Sequence, residues 1–506
     1  MNKIFNKGNL QNFIFSIFIL LIIRFISKLL FFKGLEEESE TIVTGMMIAH
    51  GQKLYSDIFQ NHGALTYLPS LIIQKIYHLN FLGHRIFMMA LEILSLLSIY
   101  FSPLLKNNVQ KKIYVVLVAT FTLSFLSRFY LHTYIYFSIA AYLVLILMSL
   151  YVLPSIDSSI RLKKRYILLG NFLLACLPFL GIVYIPFSVI LFFISLRKYT
   201  YKFAVFGFIA GVFFNLLVIN SIASWKGFVA LHLYLNSILM PTLVPAVYPN
   251  NLYQSVLNTA KGLTGNMSGI ISAFILISLL LNFFLKESLF HWKKILSIRF
   301  LLLTLAIISL IVRGDPGTAS ALPYYCAIIT LPLLLLKERY PENKIKNYII
   351  YMMIIFCFTK LSLLLTHDIK KLNNALPETS EFSELAKKMT NGNEKIISYS
   401  WRSTEYILAD RLPAAAFFYY MPWQVAYQKK PVLGIQFNPC EDILKNKPKI
   451  MLIDQYMMWD KKYDWGNYGQ CIQDIANNYY YKVEQKPYYI RRDLWSYYKD
   501  LNFQKN

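Results

Sequence analysis

Chemistry in this chain concentrates in one acidic run. Glu36-Glu37-Glu38-Ser39-Glu40 stands just past the first long apolar segment, and Gly51-Gln52-Lys53-Leu54-Tyr55-Ser56-Asp57 and His62-Gly63-Ala64-Leu65-Thr66-Tyr67 follow it. Carboxylates beside lipid are costly to desolvate without a partner. One held there can act as a general base, taking the proton of a hydroxyl nucleophile. The same run can also be a solvated loop capping a membrane helix, because acidic residues are tolerated next to spans. Transfer from a phosphate-bearing donor needs cations as well, and the planar fork of Arg binds phosphate oxygens in pairs. The candidates on the same side are Lys53, Arg85, Arg128 and Arg313. Each also has the simpler reading of a snorkelling anchor at a helix end.

Other polar groups are less specific. His50, His62, His84 and His132 fall near the same face and can donate to a phosphate or shuttle a proton. A lone His at a helix end is more commonly an interfacial residue, and His62 is the one set apart by its neighbours. Glu36, Glu40 and Asp57 offer oxygen ligands that suit a hard divalent cation. No required metal is predicted, and the absence of a Gly-rich phosphate-cradling loop argues against a soluble nucleotide. Cys176, Cys326 and Cys357 fall in apolar runs as small buried side chains. Cys440 and Cys471 fall in the polar tail, where an oxidising compartment permits a disulfide.

These groups need elements to hold them, and composition sets what the elements are. Of 506 residues 56% are hydrophobic, 16% aromatic and only 15% charged, against roughly 25% charged in soluble domains. The chain is therefore predicted to be a polytopic α-helical membrane protein. A net charge of +24 would suggest nucleic acid in a soluble protein. Here the cations sit in short loops between apolar runs, which fits topology and contact with anionic lipid.

About eleven spans are expected, near 12–32, 84–105, 113–127, 134–153, 166–181, 183–197, 203–222, 268–287, 298–313, 317–336 and 347–366. The fifth and sixth are short and form a hairpin around Pro178, Gly181 and Pro186, with a broken backbone that protein must shelter. Lys and Arg accumulate in alternate loops, with Arg161, Lys163, Lys164, Arg165, Arg197, Lys198 and Lys202 among them. That bias places the N-terminus in the cytoplasm, and the 33–83 loop, the 223–267 loop and the tail outside. The long 224–268 loop, with Pro241, Pro245, Tyr248 and Pro249, has the length of a functional lid or a passive cover. Asn266-Met267-Ser268 matches a glycosylation pattern that carries no information beside a membrane.

The sequence divides into a multispan domain, 1–366, and a small α/β domain, 367–506. In the tail, strands are expected at 395–399 and 448–454, helices at 404–411, from 440 and at 468–478, and a strand pair at 480–492.

The order of acidic pair, a helix's length, then Gly51, Tyr55, Asp57 and His62 to Tyr67 resembles the first outer loop of bacterial GT-C glycosyltransferases. These are multispan enzymes of the protein mannosyltransferase and aminoarabinose transferase type. The resemblance implies that Glu37 is the base and Glu38 its neighbour. It also implies that Arg313-Gly314-Asp315 and Pro323-Tyr324-Tyr325 belong to a late loop facing the lipid donor. The 399–423 segment, with Tyr406, Arg411, Pro413, Phe417 and Pro422-Trp423, is similar to the start of the outer α/β domain of many members. The chain departs from the family pattern in carrying Glu where the first acid is usually Asp and Ala64 where Pro is common. Glu36, Glu37 and Glu38 thus all stay open as the base.

The function expected from these residues is transfer of a sugar from a polyprenyl-phosphate donor to a cell-surface glycan, lipid or protein acceptor. The reaction is placed at the outer face of a bacterial inner membrane, without nucleic acid. Glu37, Glu38 and Asp57 form the catalytic set; Arg85, Arg128, Arg313 and Tyr324 face the donor phosphate; Tyr55, His62 and Tyr67 support the loop or the acceptor. The alternatives are a surface-polysaccharide polymerase or ligase relying on outer-loop Arg residues, and a flippase. A flippase would more commonly show two related halves, and no internal repeat is visible here.

Overall fold

A computed structural model describes residues 7–32, 34, 37–77, 81–157, 160–197, 199–243, 252–265, 269–270, 272–277, 279–280, 298–311, 316, 318–335, 376–399, 403–454 and 464–503. The chain is mostly helical, with a small four-stranded sheet near its C-terminus. It folds as two compact units, one of 1–34, 85–216 and 251–375, the other of 35–84, 217–250 and 376–506. The second unit thus gathers the first outer loop and the 217–250 segment together with the C-terminal domain.

In chain order the helices that bear on function are α1 (Lys7–Leu29), α2 (Glu37–Ala49), α3 (Leu68–Tyr77), α4 (Phe81–Tyr100), α5 (Asn108–Phe129), α6 (Tyr136–Leu147), α7 (Leu153–Ile156), α8 (Lys164–Cys176), α9 (Ile185–Ser195) and α10 (Tyr201–Ile222). Among the described residues, three stretches are long and apolar enough to cross a bilayer: Phe81–Tyr100, Tyr136–Ile156 and Tyr201–Ile222. The expected span at 347–366 lies outside the described residues, and that at 268–287 lies partly outside them. Between α8 and α9 the backbone is broken into two 3-10 turns, Leu177–Phe179 and Ile182–Tyr184. Pro178 stands at the start of the first turn and Pro186 at the start of α9, where a missing N–H costs nothing.

Two segments of π-helix, Met148–Val152 and Phe228–Leu239, each end just ahead of a proline, Pro154 and Pro241. A proline ring clashes with the carbonyl four residues back. Widening the preceding turn is one way for a helix to accept it. Further on, α8 and α10 approach closely, because Gly207 and Gly211 leave no side chain between them. A Cβ at Gly207 would lie 2.5 Å from the Leu168 carbonyl oxygen, and one at Gly211 the same distance from that of Phe172. Small residues spaced by four are how membrane helices bring their backbones together.

In the second unit, β1 (Ile397–Tyr399), β2 (Ile450–Ile453), β3 (Tyr480–Lys482) and β4 (Tyr488–Arg491) form a sheet of order β1-β2-β4-β3. The β1–β2 pair is parallel and the other two are antiparallel, with Ile397 opposite Met451 and Ile450 opposite Ile490. All residues of β1 and β2 are buried, as expected of strands covered on both faces. Three of the described tail helices begin where a polar side chain caps them. Ser380 accepts from the Ser383 N–H, Asn438 from Glu441 and Asp464 from Gly466. Cys440 and Cys471 form a disulfide with their Cα atoms 6.4 Å apart, joining helix Pro439–Asn446 to helix Gln470–Tyr479.

Candidate active site

In the second unit the acidic run opens α2. Glu37 is half-buried and Glu38 is only 1% exposed, both in the helix's first turn. A helix N-terminus is a favourable place for negative charge, because its first N–H groups have no partner within the helix. Glu36 lies outside the described residues. The helix is held by packing on α3, where Gly45 faces Ser70 so closely that a Cβ would meet its hydroxyl. Ser70 Oγ and His84 Nε2 are 2.8 Å apart, and both residues are buried. His50 uses Nδ1 on the Met46 carbonyl oxygen, 2.8 Å away.

After α2 the chain turns sharply. The Asp57 carboxylate accepts from the Lys53 N–H at 2.9 Å, and the Asp57 N–H donates to the Lys53 carbonyl at 2.9 Å. Tyr55, inside that turn, has φ +69°, a region that L residues seldom occupy, and it is fully buried. Its hydroxyl donates to the His62 carbonyl at 2.5 Å. Burial pushes the Tyr55 phenol well above its ordinary range. The turn is pressed against Gly227, whose missing side chain leaves room for the Tyr55 backbone. Tyr67 donates to Gln60 Oε1 at 3.0 Å, and both are buried.

Tyr55, His62 and Tyr67 are therefore joined in one packed frame, and Asp57 engages its carboxylate in the turn while remaining exposed. The frame extends to the 217–250 segment. His232 Nδ1 and Asn236 Nδ2 lie 3.0 Å and 2.6 Å from the Asn61 carbonyl oxygen.

In the first unit, Arg85 is 1% exposed and lines a small cavity of about 10 Å³ together with Glu92, His132 and Tyr142. Ile26, Leu29, Leu30, Met88 and Met89 supply its apolar wall. Arg85 and Glu92 are seven residues apart on α4 and so share a helix face. Thr122 donates to Glu92 Oε1 at 3.3 Å. Tyr324 is not among the lining residues; it is fully buried and donates to Ser272 Oγ at 3.1 Å. Arg128 stands in the last turn of α5, with only its backbone described, and Arg313 lies outside the described residues. Among the described residues, no three His, Cys, Asp or Glu side chains gather as a metal ion would need.

Glu92 is the residue that sequence reasoning missed. Its signal was present, since it is the sole carboxylate of the 20-residue apolar helix α4. An ionisable group inside a span is costly enough to imply a role.

No protein-family model and no curated protein matches the sequence. Among solved structures the chain is similar to the archaeal oligosaccharyltransferase AglB from Archaeoglobus fulgidus, in complex with an inhibitory peptide and a dolichol-phosphate. The likeness has a TM-score of 0.44 and 11% identity, and it covers 96% of this chain and 74% of that one.

Proposed function

We propose that this chain is an integral membrane glycosyltransferase of GT-C type, moving a sugar from a polyprenyl-phosphate donor to a cell-surface glycan, lipid or protein acceptor. The observation that carries the reading is the burial of Glu38, 1% exposed beside the half-buried Glu37. A solvated loop cap would leave its carboxylates in water, whereas burying one is costly and calls for a return. Here the pair is built into a helix start anchored on α3.

In the proposed reaction the Glu37 carboxylate takes the proton of an acceptor hydroxyl. The freed oxygen attacks the anomeric carbon of the donor sugar, and the bond from that carbon to the phosphate oxygen breaks. Its electrons leave with the polyprenyl phosphate. Glu38 fixes the position of Glu37 through their shared turn. Arg85, buried against an apolar wall, has the charge and the fork to hold a departing lipid phosphate. Arg128 and Arg313 join it in this proposal, and Tyr324 supports the donor region through its bond to Ser272. We place the acidic loop and the tail on the outer side of a bacterial inner membrane, following the distribution of Lys and Arg.

The test is Glu37→Gln in cells, with insertion and abundance checked against wild type. Gln keeps the shape and removes the base. The expected result is loss of one sugar from the surface glycan and accumulation of the lipid-linked donor. Normal glycan and normal carrier levels in Glu36→Gln, Glu37→Gln and Glu38→Gln alike would reject the reading.

A further inference from the structure

We infer that the first unit carries a binding site for an anionic phospholipid at the shared end of α8, α9 and α10, independent of the glycosyl-transfer reading. Residues 155–202 contain seven cations, Arg161, Lys163, Lys164, Arg165, Arg197, Lys198 and Lys202, and one carboxylate, Asp157. The fold brings the two basic segments together. Arg197 donates through Nη1 to the Ile160 carbonyl at 3.0 Å and to the Tyr199 hydroxyl at 2.7 Å. Through Nη2 it donates to the carbonyls of Ser155 and Asp157. None of these acceptors is a carboxylate; backbone carbonyls and a phenol hydroxyl fix the guanidinium in place. Lys164 Nζ lies 4.9 Å from the centre of the Phe203 ring, which ties the first turn of α8 to the first turn of α10.

A small cavity of about 10 Å³, room for about one water molecule, lies at this junction, lined by Tyr151, Ser155, Ser195, Arg197, Tyr199 and Thr200 among others. Its floor is ordered by a buried relay, with Asn171 donating to the Tyr151 hydroxyl at 2.7 Å and Tyr151 to Ser195 Oγ at 2.8 Å. Arg161, Lys164, Arg165 and Lys202 around it are exposed, as is Lys163.

Two further features say that the occupant is a lipid rather than a free anion. Tyr199 and Tyr201 are 59% and 50% exposed at the same level, as aromatic residues are at the boundary between headgroups and hydrocarbon. Directly along α10 from them, Phe206, Ile209 and Phe213 form an exposed apolar stripe, at 66%, 60% and 60%. An exposed basic patch at one end of an apolar helix face has the division of a phospholipid, with the phosphate among the cations and the acyl chains along the stripe. Clusters of Lys and Arg beside the end of a membrane helix attract anionic headgroups in this way.

The test is native mass spectrometry of the full-length protein in detergent, titrated with phosphatidylglycerol, phosphatidylcholine of the same acyl chains, or inorganic phosphate. The expected result is retention of phosphatidylglycerol over phosphatidylcholine by the wild-type protein, with inorganic phosphate a poor competitor. Replacing Lys163, Lys164, Arg165 and Lys202 by Gln should weaken phosphatidylglycerol binding on the order of a thousandfold. Replacing Lys106, Lys111 and Lys112 by Gln should leave it unchanged. Equal retention of the two lipids by wild type overturns the proposal, and that comparison needs no variant. Unchanged retention in the four-residue variant overturns the site, and displacement by inorganic phosphate alone overturns the lipid as occupant.

Discussion

The ring of Phe59 meets that of Phe417 edge-on, with centroids 4.8 Å apart, and the Phe59 N–H donates to the Ala416 carbonyl at 3.1 Å. Phe59 belongs to the loop that carries the acidic run, and Phe417 to the C-terminal domain. Tyr427 and Phe437 complete the cluster around Phe59, at 5.6 and 5.3 Å. The first loop is thus packed into the tail domain as part of the same folded unit.

Phe59 is fully buried, so Phe59→Ala should cost about 3–5 kcal/mol of stability in the second unit. Tyr or Leu at the position should cost less. Thermal unfolding of the purified protein and limited proteolysis of the tail read the effect. An unchanged melting profile would show that the loop does not depend on the tail.

The acidic candidates should separate by role. Glu37→Gln is expected to reduce transfer by roughly 10²–10⁴, the range that a general base contributes. Asp57→Asn should instead act mainly on stability, by about 1 kcal/mol, because its carboxylate closes the Lys53 turn. Rates measured with lipid-linked donor, alongside melting temperatures, distinguish the two. Asp57→Asn abolishing turnover without loss of stability would move the base to Asp57.

Arg85 is assigned to the phosphate, so Arg85→Lys should keep the charge while losing the paired hydrogen bonds. The expected outcome is a raised KM for the lipid donor, larger in Arg85→Ala, with little change for the acceptor. Should Arg85→Ala lower only the melting temperature, the residue is an anchor of α4 on the Leu29 end of α1.

Much of the tail is legible in its residue pattern. The all-apolar 450–453 run and the β-branched and aromatic runs at 396–399 and 488–490 are strand patterns, and the structure places β1, β2 and β4 there. The helix at Thr404–Ala409 ends two residues before the expected 411, where Asp410 enters the left-handed region. What the sequence does not disclose is non-local. Nothing near Phe59 names Phe417 as its neighbour, and the helix Glu381–Met389 falls outside the expected elements. The π-helical stretches before Pro154 and Pro241 are also hidden, because residue pattern reports the face that a helix buries and not its winding.

Stability of the tail should carry a small acid-sensitive component at its last strand. Arg491 grips the Asp493 carboxylate with both arms of its fork, at 2.7 and 2.9 Å. That hydrogen bond holds the carboxyl below its usual value of 3.8. A depressed folded value means the contribution is present above the unfolded value and is lost as pH falls through the folded one. The loss therefore falls at pH 3.8 and below. Asp493 is 60% exposed, so solvent screening keeps the effect to at most about 1 kcal/mol. Asp493→Asn should slightly lower the melting temperature at pH 7, and the difference from wild type should vanish in acid. A gap that persists undiminished at low pH would show that the carboxylate's charge is not what the pair contributes.

An added Cβ at Gly211, where α8 and α10 approach, would stand 2.5 Å from the Phe172 carbonyl oxygen and 2.8 Å from the Ala175 methyl. The first neighbour is backbone, which cannot rotate away, so the helices must part. Parting them removes packing that lipid-exposed helices have no hydrophobic force to replace. Gly211→Ala should therefore destabilise the first unit by about 1–3 kcal/mol, and Gly211→Leu by more. Gly265, by contrast, has nothing within 4 Å of its Cβ position, and Gly265→Ala serves as the matched control. Melting temperatures in detergent decide the matter. Equal values for Gly211→Ala and Gly265→Ala would mean that the contact between α8 and α10 does not hold the unit together.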